Sequence, residues 1–212
     1  MNATDPLVDD VSTNQAGAKR APAAFGERST RLIEQFRSVR KFTTHLCRTL
    51  ETEDYVVQSM PDVSPTKWHL AHTTWFFETF VLKVWAAQYR SSDERYAYLF
   101  NSYYNAAGDM HRRDLRGLIS RPTVAETHEY REAIDKAVPK LIRDADDDLL
   151  EKMEPILILG AHHEQQHQEL LLTDINTSSL RTRCILFFVL GPWRPNLPRP
   201  CPSVSLRSTK QS

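Results

Sequence analysis

The segment GAHHEQQHQELLL, residues 160–172, holds three of the chain's eight histidines, at positions 162, 163 and 167. His163 and His167 are four apart, so on a helix they share one face a turn apart, a spacing that lets two imidazoles bind one metal ion. His162 projects about 100° away and is not needed for such a site. The segment also reads H-E-x-x-H, the zinc-protease signature, in which Glu164 serves as general base. Such enzymes draw a third ligand from downstream. No histidine follows His167, and the only later glutamate is Glu169, two residues on and on another face. The protease reading therefore lacks a ligand.

A third ligand must come from upstream, and the best candidates lie in WHLAHTTWFFE. His72 sits two turns into the most apolar helical segment, where an unpartnered imidazole is costly. His69 lies one turn earlier, nearer the helix mouth. His45, His111 and His128 stand among polar neighbours and read as surface residues. Three imidazoles from two helices leave positions open on an octahedral ion, and the donor set suits iron, zinc, copper and nickel alike.

Four helical segments can position these residues. Apolar residues Ile33, Phe36, Val39, Phe42 and Leu46 predict a first helix from about Ser29 to Leu50–Asp54. Ser64-Pro65 reads as an N-cap hydroxyl followed by proline, opening a second helix over residues 65–88 that is apolar on most faces. Residues 90–121 are aromatic-rich and irregular, with short helical pieces expected. Thr123 and Glu126 form a capping box for a third helix to Ala145, with Pro139 an expected kink. A fourth runs from about Leu149 to Asp174, with Pro155 and Gly160 as weak points. No strand is evident, so the expected fold is an all-α four-helix bundle with metal ligands on facing helices.

Composition bounds the function classes. The 212 residues suit one domain, and 27 basic against 27 acidic residues gives no general attraction to nucleic acid or an acidic membrane. Three scattered cysteines, Cys47, Cys184 and Cys201, argue against a disulfide framework and for a reducing cytoplasm. The N-terminus lacks a signal-peptide apolar core, and no run approaches the roughly 18 apolar residues of a membrane span. Residues 1–27 read as a polar, disordered leader and 28–175 as the helical domain. Residues 176–212 contain no acid, five arginines and five prolines between Pro192 and Pro202, and read as an atypical basic, Pro-rich tail.

The blocks SPTKWHLAHTTWFFE, YLFNSYYNAAGD, RGLISRPTVAETHEYR and LGAHHEQQHQELLLTDI together resemble the DinB-like N-terminal domain of ergothioneine-biosynthesis sulfoxide synthases. They cover most of residues 28–175 in matching order and spacing. The resemblance implies a DinB-like bundle with a non-haem iron(II) centre ligated by His72, His163 and His167. It implies an O2-dependent reaction joining hercynine, the trimethylated betaine of histidine, to γ-glutamylcysteine or cysteine as a sulfoxide. Gln166 matches a family position that helps hold the betaine. Tyr103 and Tyr104 offer aromatic faces to a quaternary ammonium group. Arg116 and Arg121 are candidates for a substrate carboxylate. Members of the family carry a second domain of the formylglycine-generating-enzyme type, which does not follow Ile175 here. The expectation is a truncated or frameshifted copy, with an exposed face prone to self-association. Two other readings are a stand-alone DinB-like metal module without catalysis, and a zinc-dependent thiol transferase.

Overall fold

The computed structural model describes residues 22–102 and 108–182. Four long helices dominate: α1, Pro22–Leu46; α2, Thr66–Phe77; α3, Val124–Asp144; and α4, Asp147–Thr182. Among the described residues there is no strand. Helix α1 packs against α3 and α4, and α2 packs against the same two, closing an all-α four-helix bundle.

Helix α2 lies at the centre, and every residue from Thr66 to Phe77 is buried. Its sequence has no continuous polar face, so only complete enclosure satisfies it. Its one ammonium, Lys67, escapes burial without partners by donating to the carbonyls of Ile119 (2.6 Å) and Pro122 (2.9 Å). Beyond Phe77 the helix widens into a π turn, Glu78–Leu82, and ends with Lys83–Trp85, short of the expected Gln88. Glu78, fully buried, accepts from Tyr89 Oη and Ser91 Oγ on one oxygen and Tyr130 Oη on the other. The irregular stretch that follows contains a short helix, Tyr96–Leu99, and a 3₁₀ segment, Arg113–Leu118.

The capping box that opens α3 is formed: Thr123 Oγ1 accepts from Glu126 N and Thr123 N donates to Glu126 Oε2. The anticipated cap of α2 is not. Ser64 makes no capping bond there. Its Oγ instead accepts from Arg116 and its N–H donates to Asp174, so long-range partners take both groups. Neither Pro139 nor Pro155 ends its helix; α3 and α4 run through them.

Helix α1 starts at Pro22, inside the stretch assigned to the leader, because proline suits a first turn and Ala23–Ala24 propagate it without apolar periodicity. Helix α4 continues past Ile175 to Thr182. There the Thr177 and Ser179 hydroxyls fold back onto the carbonyls of Thr173 and Ile175. Residues 1–21 of the leader and 183–212 of the tail lie outside the described residues.

Along α1, Ile33, Phe36, Val39 and Leu46 are buried as expected, but Phe42 is 48 % exposed. Three successive three-residue steps carry it about 180° from Ile33. The inward positions go to Arg40 and Thr43, which serve a buried carboxylate described below.

One glycine fixes the distance between α2 and α4. A Cβ on Gly160 would lie 2.6 Å from Phe77 Cε1 and 2.9 Å from Phe76 Cε1. The missing side chain lets both aromatic rings rest against the α4 backbone. That close approach brings His163, one turn on, within reach of α2.

Candidate metal centre

Helix α2 supplies His72 and α4 supplies His163 and His167. Each offers a ring nitrogen, and these nitrogens all lie within 4.8 Å of one another. His72 Nε2 is 3.1 Å from His163 Nε2. Two nitrogens each about 2.1 Å from one ion, at right angles, stand about 3 Å apart, so this pair already has the spacing of neighbouring ligands. Ring centroids of His72 and His167, and of His163 and His167, are both 4.6 Å apart.

His72 is locked in place. Its ring stacks on Trp68 at 4.5 Å with 13° between planes, and lies 5.7 Å from Trp75. Its Nδ1 is 2.6 Å from the Phe100 carbonyl, which can only accept, so Nδ1 carries the proton. The lone pair is therefore on Nε2, facing His163 and the cleft. His163 is steadied by the Phe76 ring, 4.8 Å away.

Electrostatics keeps the group neutral, as ligation requires. Burial, then the neighbouring His163, pushes His72 well below the usual imidazole range. Burial lowers His163 to about 4, against a weaker opposing pull from Glu164. His167 is lowered too, by burial first and then by His72, His69 and His163. At pH 7 all three are neutral, so each ring has one nitrogen lone pair to offer. Converging, neutral nitrogen donors with one tautomer fixed by a backbone carbonyl fit a borderline divalent metal ion.

Glu164 faces the other way. Wholly buried, it accepts from Thr43 Oγ1 (2.6 Å), Arg40 Nη1 (3.2 Å) and Arg131 Nη2. Burial alone would raise its pKa, but Arg131 and Arg40 overcome that and hold it at about 2. A permanently ionised, triply bonded carboxylate in the core is no general base, which disposes of the protease reading on geometry.

The histidines line a cleft of about 360 Å³, near the lower end of the roughly 300–1,000 Å³ range of small-molecule sites. Gln166, a candidate from the sequence, lies on its wall beside His167. Arg116 is also there, 4 % exposed, with its guanidinium 3.4 Å over the Trp68 ring. It donates to Ser64 Oγ and Ser102 Oγ at 2.9 and 3.0 Å. Arg121 is exposed, donates to the carbonyl of its neighbour Ser120, and is not among the residues lining the cleft. Tyr103 and Tyr104 lie outside the described residues. His162 is exposed and bonded to Gln165 within its own helix.

Sequence reasoning missed Arg113 and Asp174, both on the cleft wall, and named His69 without giving it a role. A signal existed for Asp174: it falls seven residues after His167, two helical turns along nearly the same face.

Fold and site together define a helical bundle with a three-histidine group able to hold a metal ion. The chain belongs to the DinB superfamily, whose family profile matches residues 35–171. No curated protein matches it. Among the described residues no helix is long and apolar enough to cross a membrane.

Proposed function

We propose that the three-histidine group is the centre of an iron(II)- and O2-dependent sulfoxide synthase acting on hercynine and a cysteine-containing thiol. The observation that carries the reading is the convergence of three neutral imidazoles, within 4.8 Å of one another, on the wall of an open cleft beside a guanidinium. The choice of iron and of hercynine rests on the four sequence blocks similar to the ergothioneine enzymes.

The overall change balances. One C–H of the hercynine imidazole and one S–H of the thiol are lost, a C–S bond and an S=O bond form, and O2 leaves as that sulfoxide oxygen and one water. Bound iron(II) would supply the electron-transfer chemistry with O2. The chain's own residues do the rest. His72, His163 and His167 give lone pairs and leave the cleft side open to substrate. Gln166 presents an amide that can hydrogen-bond an imidazole without adding charge. Arg116 contributes a fixed positive charge for a carboxylate, which both organic substrates carry; its stacking on Trp68 and its two serine partners hold it ready.

The test is incubation of the iron(II)-loaded chain with hercynine, air and either cysteine or γ-glutamylcysteine, followed by mass spectrometry. The expected product has the summed mass of both substrates plus one oxygen less two hydrogens and depends on all three reactants. Stoichiometric iron with no coupled product would overturn the reading. The donor set serves zinc equally well, and thiol transfer by the zinc-loaded chain would favour the thiol-transferase alternative.

A further inference from the structure

A hydrogen-bonded chain runs from α4 to α2 and back along the wall of the same cleft. Asp174 Oδ2 is 2.9 Å from His69 Nε2, and His69 Nδ1 is 2.9 Å from His167 Nδ1. His69 is 3 % exposed, and both of its ring nitrogens are engaged in this way. Its position in α2, one turn before His72, places it level with His167 across the interface.

The proton positions follow from what each group can do. An ionised carboxylate only accepts, and Asp174 Oδ2 already accepts from the backbone N–H of Ser64 at 2.9 Å. His69 must therefore donate through Nε2. A neutral imidazole has one N–H, so Nδ1 of His69 is bare and accepts. The donor across the 2.9 Å contact is then Nδ1 of His167. That leaves the lone pair of His167 on Nε2.

We propose that Asp174 and His69 are positioning residues that set the tautomer of His167, so that Nε2 faces the metal. The proposal rests on the three-histidine reading and extends it. His72 reaches the same state by a different route, its Nδ1–H held by the Phe100 carbonyl. One ligand on each helix thus has its proton held on Nδ1 by a protein acceptor, with its lone pair on Nε2. His69 itself is not a fourth ligand, because neither of its nitrogens is available. Without an acceptor at position 69, His167 would distribute its proton over both nitrogens and lose part of its ligating form. Partners of this kind are typically worth about 10–100-fold in metal affinity.

The test uses the full chain, metal-free and labelled with ¹⁵N-histidine, in a two-bond ¹⁵N–¹H correlation experiment. The expected pattern is Nδ1–H for His167 and Nε2–H for His69. Asp174→Ala should lower the Nδ1–H fraction of His167. The companion measurement is affinity for cobalt(II), used as a spectroscopic probe. His69→Leu, which cannot accept, should weaken it by about 10–100-fold; His69→Gln, whose amide carbonyl can accept from Nδ1–H, should restore most of it. An Nε2–H tautomer for His167 in the unaltered chain overturns the proposal, even if both variants fail to fold. So does wild-type cobalt affinity in a folded His69→Leu protein, or no recovery in His69→Gln. Failure of the unaltered chain to bind cobalt would count against the metal centre, while the tautomer spectrum would still decide the Asp174–His69–His167 chain.

Discussion

Gly160→Ala separates two levels of reasoning by the sign of its effect. Helix propensity alone predicts that alanine inside α4 stabilises by about 1 kcal/mol. Packing predicts the reverse. The new methyl would sit 2.6 and 2.8 Å from Phe77 Cε1 and Cζ and 2.9 Å from Phe76 Cε1, where ordinary carbon contacts begin near 3.5 Å. Neither ring can swing aside. Phe77 is 1 % exposed and meets Phe36 edge-on at 4.9 Å, while Phe76 is wedged against Phe80 and His163 at 4.9 and 4.8 Å. Helices α2 and α4 must then separate by somewhat under ~1 Å. Overpacking costs about 1–3 kcal/mol, and three sub-contact distances on two immobile rings place this case near the top. After the propensity gain, a net loss of about 2 kcal/mol remains, or a Tm lower by about 4–8 °C for a chain of this size. The same displacement opens the 3.1 Å gap between His72 and His163, so cobalt(II) affinity should fall with stability. Reversible urea unfolding and a cobalt titration on one preparation measure both. Stabilisation by about 1 kcal/mol with unchanged metal affinity would refute the packing argument.

Glu164→Gln should destabilise the fold by about 3–5 kcal/mol, because buried Arg131 would lose its carboxylate partner and buried Arg40 would keep only Asp135; a urea midpoint within error of wild type would contradict that. In the metal-free chain, stability should fall with acidification below neutral. His163 titrates at about 4 when folded against roughly 6.5 unfolded, so its contribution is full above 6.5 and is lost as pH falls from there toward 4. Each such group adds up to about 1.4 kcal/mol per pH unit, and His69, His72 and His167 are shifted in the same direction. Urea midpoints in EDTA should thus drop between pH 7 and 5, and a flat profile would show that the imidazoles are not desolvated. His162→Ala should leave metal content unchanged, since the ring is exposed and bonded only within α4; loss of metal there would mean that the wrong histidine has been placed in the site.

Local pattern reveals what local physics decides. The burial of α2 is readable because its sequence offers no polar face, the start of α3 because Thr123 and Glu126 suffice to cap it, and the metal pair because four residues make one turn. What escapes the sequence depends on partners distant in the chain. Ser64 looks like a cap until Arg116 and Asp174 claim it from 52 and 110 residues away. Phe42 looks like core until Glu164, 121 residues from Thr43, requires polar groups on the inner face of α1. The π turn at Glu78 accompanies three hydroxyls from two separate segments, Tyr89 and Ser91 on one and Tyr130 on the other. His69 carried its residue type in the sequence but not its role, because that role depends on Asp174, 105 residues on.

Anaerobic titration of the purified chain with iron(II), read as bound metal per chain, addresses the three-histidine centre most directly. One ion per chain is expected, lost in His72→Ala, His163→Ala and His167→Ala and retained in His162→Ala. Undiminished binding in those three variants, or none in the folded unaltered chain, would contradict it.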